Sequence, residues 1–175
     1  MPSPTYVAIA KTVLTGSQTD VTFSSIPSTY TDLVVLGTAR RDGGTYYPNV
    51  YVELNATASS YSGTIAFGNN TTPTSANYSA GTSLSYQYMA GASNTSNTFS
   101  SFELYFPNYA GSTNKPISAT TAVENNSSTN SQYMVAPAAQ LWSNTAAINS
   151  IRLYSGSGNN FVSGSSFYLY GIKNS

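Results

Sequence analysis

Apolar residues in this chain recur at every second position, in short runs separated by clusters of Ser, Thr, Asn and Gly. A period of two puts alternate side chains on opposite faces of an extended backbone, so such runs read as β-strands. "DVTFSSI" (20–26) alternates Val21 and Phe23, and "NVYVELN" (49–55) sets Val50, Val52 and Leu54 against Tyr51 and Glu53. "TFSSFELYFPNY" (98–109) turns Phe102, Leu104 and Phe106 to one side. "TDLVVLGTAR" (31–40) is apolar on both faces through Leu33, Val34, Val35 and Leu36, as a central, doubly covered strand would be. Similar runs occupy 5–14, 64–68, 84–90, 115–125, 131–142, 148–156 and 165–173.

The pattern amounts to about ten short strands at roughly 8–12-residue spacing, as in an all-β sandwich or barrel. No long amphipathic helix is legible. The one Ala-rich stretch, "APAAQLWSNTAAI" (136–148), carries Pro137 among β-favouring neighbours. "GNNTTPTSANYSAGTS" (68–83) reads as a long surface loop. No composition shift marks a boundary within the 175 residues, so the expectation is a single antiparallel β-sandwich domain over 1–175.

Charged residues make up only 7% of the chain, six basic against six acidic, far below the ~25% of an ordinary soluble domain. Ser, Thr, Asn and Gly therefore supply the polar surface, as in proteins exposed outside cells or on virions. A balanced charge without a basic cluster argues against nucleic acid. No run approaches the ~18 apolar residues of a membrane-spanning helix, so no membrane insertion is expected. The opening "MPSPTYVAIAKTVL" has no basic segment ahead of an apolar run, so a secretory signal is not expected and synthesis in a cytoplasm is.

The chain has no His and no Cys, which removes the commonest general base, the commonest metal ligand and thiolate nucleophiles. No metal and no cofactor is expected. Catalysis would have to rest on carboxylates, and Glu53 and Glu103, each opposite its strand's apolar row, would form a glycosidase-like pair if their strands were neighbours. Two solvent-facing glutamates are the simpler reading, and no enzyme is expected.

The one charge cluster, Arg40, Arg41 and Asp42 in "ARRDGGTYYPN" (39–49), adjoins Tyr46 and Tyr47. It is a candidate contact loop for a partner or a glycan. The alternative is a strand-ending turn bent at Asp42-Gly43, with the arginines paired to nearby acids. Tyr78, Tyr86, Tyr88, Tyr105 and Tyr109 divide between cross-strand packing and exposed contact, and Trp142 reads as a core anchor.

Two stretches, "VTFSSIPSTYTDLVVLGTAR" (21–40) and "AAINSIRLYSGSGNNFVSGSSFYLYGIK" (146–173), resemble the opening and closing signatures of a group of small tailed-phage proteins of marine and cyanobacterial type. The "YFPNYAGSTNKP" turn (105–116) matches more loosely. The resemblance rests on packing and turn residues and carries no catalytic ones. It implies a jelly-roll β-sandwich on a virion, where such modules decorate or cement the capsid or belong to the tail. The expected partners are other virion proteins, either the major capsid protein or tail proteins, together with further copies of the chain in a homotrimer. A tail-fibre or receptor-binding module reading host glycan through 39–49 and 68–83 is the alternative role.

The chain closes on "SSFYLYGIK" (165–173), where Phe167, Leu169 and Gly171 share one face and Tyr168, Tyr170 and Ile172 the other. A strand apolar on both faces belongs inside a sheet, and its outer row is a candidate interface. The preceding "SGSGNN" reads as the loop of a last hairpin joining "INSIRLYS" to this strand, with Phe161 tucked beneath it.

Overall fold

The computed structural model describes residues 5–69, 72–129 and 132–173. Residues 1–4 of the opening stretch, 70–71 of the long connection, 130–131 at the start of the "SQYMVAPAAQLW" run, and 174–175 lie outside the described residues. Twelve strands form: β1 (Tyr6–Val13), β2 (Asp20–Phe23), β3 (Asp32–Ala39), β4 (Asn49–Leu54), β5 (Tyr61–Phe67), β6 (Thr74–Gly81), β7 (Leu84–Tyr88), β8 (Ser100–Phe106), β9 (Lys115–Val123), β10 (Met134–Trp142), β11 (Ile151–Tyr154) and β12 (Ser166–Ile172). All pairings between them are antiparallel.

Strand order defines the architecture. An eight-stranded sheet runs β1-β12-β3-β8-β9-β10-β5-β6, and a four-stranded sheet runs β2-β11-β4-β7. Setting aside two inserted hairpins, the first and last strands pair, the second and penultimate pair in the opposite sheet, and the nesting continues inward. That double Greek key is a jelly roll. The hairpins β5–β6 and β9–β10 add four strands to one side of the first sheet, which becomes twice as wide as its partner.

β6 corrects the reading of 68–83 as a loop. Its "TSANYSAG" has no apolar alternation because six of its eight residues are exposed, on an edge strand that buries almost nothing. The "SGSGNN" hairpin is also corrected. β11 and β12 lie in different sheets, so residues 155–165 cross the top of the sandwich. Phe161 does sit beneath that crossing, fully buried and edge-on to Phe167 at 4.9 Å between ring centroids.

The core lies between the sheets: Phe102, Leu104, Phe167 and Leu169 from the wide one, Val52, Leu54, Leu84 and Leu153 from the narrow one. Two glycines are required by close aromatic approach. A Cβ on Gly37 would lie 2.1 Å from the Phe102 ring, and one on Gly171 would lie 2.3 Å from the Tyr30 ring.

Inward polar residues on the wide sheet have a defined task. β7 is the edge of the narrow sheet, and its unpaired side faces β8, β9, β10 and β5. Gln140 Oε1 accepts from the Ser85 and Tyr86 amides at 3.1 and 3.3 Å, Thr121 Oγ1 from the Tyr88 amide at 3.3 Å, and Ser100 Oγ from the Ala90 amide at 3.1 Å. Side chains thus satisfy an edge that would otherwise leave buried donors unpaired.

Candidate functional site

The predicted contact loop lies at the end of the sandwich where the β1–β2, β3–β4, β7–β8 and β11–β12 connections gather. Residues 40–42 pass between two of them: the Arg41 amide donates to Ala90 O at 2.8 Å, the Asp42 amide to Asn160 O at 3.0 Å, and the Val162 amide to Arg40 O at 3.0 Å. The side chains continue this lacing. The Arg40 guanidinium donates to Thr98 O (2.9 Å), Thr95 O (3.0 Å), Asn94 O (3.1 Å) and Ala92 O (3.3 Å). Arg41 is buried and donates to Gly43 O at 3.0 Å and Ser155 O at 3.1 Å. Desolvation lowers its pKa, opposed by the nearby Tyr51 and Asp42.

The expected pairing of these arginines with acids is therefore corrected: among the described residues their hydrogen-bond acceptors are main-chain carbonyls, which composition cannot reveal. Asp42 accepts from the Asn160 backbone and side-chain amides at 2.8 and 2.7 Å, and these bonds hold its carboxyl below the ordinary range. The left-handed residue of the turn is Gly44, at φ 82°, rather than Gly43. Tyr46 and Tyr47 are half-buried; Tyr47 is edge-on to Tyr88 at 6.2 Å and its hydroxyl accepts from Asn69 at 2.9 Å.

Arg40→Ala is expected to cost about 1–2 kcal/mol, since charge-assisted bonds to several carbonyls disappear together. Urea unfolding would read the loss, and amide exchange should accelerate across 92–98. Arg40→Lys should not restore protection, because a point charge cannot span four acceptors in a planar fork.

The two candidate carboxylates are on separate sheets. Glu53 lies on the outer face of the narrow sheet and Glu103 on the outer face of the wide one, so the whole core separates them and the glycosidase-like pair does not form. Glu53 instead accepts from Arg152 at 3.1 Å, and Arg152 also bonds Asp20 at 2.9 Å and lies 4.7 Å from the Tyr154 ring centroid. Among the described residues no cluster of three or more acidic side chains could hold a metal.

The candidate interface strand stands differently. β12 is second from the edge of the wide sheet, between β1 and β3, and Tyr168, Tyr170 and Ile172 point outward and are partly exposed. Among the described residues no element covers this face. The four exposed large hydrophobics among the described residues lie on it: Tyr6 at 57%, Val13 at 53%, Leu36 at 38% and Val135 at 57%. Short side chains on β8 and β9, bordered by Leu36 and the tyrosines on one side and Val135 on the other, leave a trough of about 580 Å³. A second groove of about 490 Å³ lies over Ala8 and Ala10, against Tyr168 and Tyr170.

No family model matches the chain, and no curated protein matches it. Chemistry has to be read from its own side chains. The loop end is a self-laced structural cluster whose charges are already engaged. The outer face of the wide sheet carries exposed apolar side chains, hydroxyls and two charges, Lys11 and Glu103, that form no ion pair among the described residues, a surface that suits contact with another protein. Periodicity located Tyr168, Tyr170 and Ile172; Tyr6, Val13 and Val135 were missed because each adjoins an inward apolar residue of its own run and joins the patch only through strand pairing.

Proposed function

We propose that this chain is a structural protein of a bacteriophage virion, acting as a decoration or cement protein that stabilises the capsid through non-covalent subunit contacts. The observation that carries this reading is the uncovered outer face of the wide sheet, where every exposed large hydrophobic among the described residues is gathered. Contiguous apolar surface of this kind on a soluble fold marks a protein–protein contact. The resemblance of 21–40 and 146–173 to small tailed-phage proteins supports the setting, as does the jelly roll, an architecture that capsid proteins use; the latter is an argument by analogy. A contact with so few charges has little Coulomb attraction for salt to screen, which suits a particle that persists outside a cell.

A receptor-binding role in the tail draws less support, because Arg40, Arg41 and Asp42 are spent on internal bonds and half of 68–83 is strand. Quantitative mass spectrometry of purified particles tests the reading, with hundreds of copies per particle as the expected result.

A further inference from the structure

We infer that the outer face of the wide sheet binds a second copy of this chain about a two-fold axis lying in the interface and running along the strands between β12 and β3. This deepens the assembly reading and rests on the same face. The inference comes from the cross-strand register. Lys11 (β1), Tyr168 (β12), Leu36 (β3) and Glu103 (β8) are successive partners in one row of outward side chains. A two-fold axis through the middle of that row reverses its order on the partner. Lys11 then meets Glu103, Tyr168 meets Leu36, and both contacts occur twice.

Neither Lys11 nor Glu103 forms an ion pair among the described residues, and both are exposed. Like charges stay about 14 Å apart across the row, three strand spacings. The centre of the contact is apolar and the charges fall at its rim, which is how protein interfaces are ordinarily arranged.

The next row adds a shape match. Ala8, Tyr170, Val34 and Tyr105 are successive partners on the same four strands. The same axis sets Tyr105 of one copy over Ala8 of the other, the small residue that floors the groove of about 490 Å³. A large ring thus faces a strand where the surface is low. Four strands and four outward rows cover roughly 500 Å² per copy, or about 1,000 Å² in all, the lower end of specific interfaces. A self-matching surface closes on itself as a dimer, whereas a ring of three needs two different surfaces to meet. This face therefore favours a two-fold contact over the homotrimer expected from the sequence.

Charge exchange at two exposed positions tests the contact without touching the core. The wild type should sediment as a dimer at tens of micromolar in analytical ultracentrifugation. Lys11→Glu and Glu103→Lys should each weaken the dimer about tenfold or more, and the double variant should regain most of the lost affinity, since opposite charges again face each other. A wild-type monomer or trimer at these concentrations, equal dimerisation of all four proteins, or a double variant no better than the singles would overturn the inference. A monomer nonetheless present at high copy in purified particles would remove this contact and leave the assembly reading standing. A dimer absent from particles would do the reverse.

Discussion

A chain lacking residues 165–175 is expected not to fold. β12 is the one strand of the wide sheet that joins β1 to β3, with seven paired positions on each side. Its inward Phe167 and Leu169 are fully buried, and Phe161 and Phe102 both pack on Phe167. Truncation would strand β1, strip one side of β3 of its partners and open the core beneath. The lost burial of Phe167 and Leu169, at ~1.5–3 kcal/mol each, is already a large share of a stability of about 5–15 kcal/mol, before the broken ladders are counted. Far-UV circular dichroism and a thermal melt would check this. A soluble truncation that melts cooperatively would contradict the placement of β12.

Trp142→Ala is the second large effect. Trp142 is fully buried at the end of β10, and Tyr61 of β5 stacks on it at 6.2 Å with planes 17° apart. Tyr61 in turn ties the two sheets together: its hydroxyl accepts from the Leu54 amide at 2.8 Å and donates to Thr57 O at 2.9 Å. Burial pushes that hydroxyl's pKa up to about 12, so it remains a neutral donor across the working range. Removing the indole leaves a cavity and unseats this brace, at an expected cost of about 3–5 kcal/mol. The melting temperature should fall by roughly 6–20 °C. Trp142→Phe should cost much less, because the indole nitrogen has no hydrogen-bond partner among the described residues and packing carries the contribution.

The particular successes and failures of the sequence reading have physical causes. Strands that bury one face announce themselves by alternation, so β4, β8 and β12 were legible to within a few residues. β6 was not, because an exposed edge strand needs no apolar period. The crossing at 155–165 was misread as a hairpin because turn chemistry reports that a chain reverses and not which sheet it enters next. The jelly-roll order itself lies in pairings such as β1 with β12, between residues more than 150 positions apart. Glu53 and Glu103 looked like a possible pair only while their sheets were unknown. Buried charges were equally hidden: Lys115 is almost wholly buried and donates to the carbonyls of Gly111, Thr113 and Thr145, with burial lowering its pKa. Carbonyl acceptors leave no trace in a list of residue types.

The wide sheet presents an uncovered apolar face, the charged loop at its end is consumed by internal bonds, and the carboxylates that could have done chemistry are separated by the core. The uncovered face is what supports the proposed contact with protein. The most direct measurement is the number of copies of this chain in purified particles, counted by mass spectrometry against the major capsid protein. Hundreds of copies per particle, retained through a high-salt wash, are the predicted result. A few to a few dozen copies would move the chain to the tail, and its absence from the particle would contradict the account.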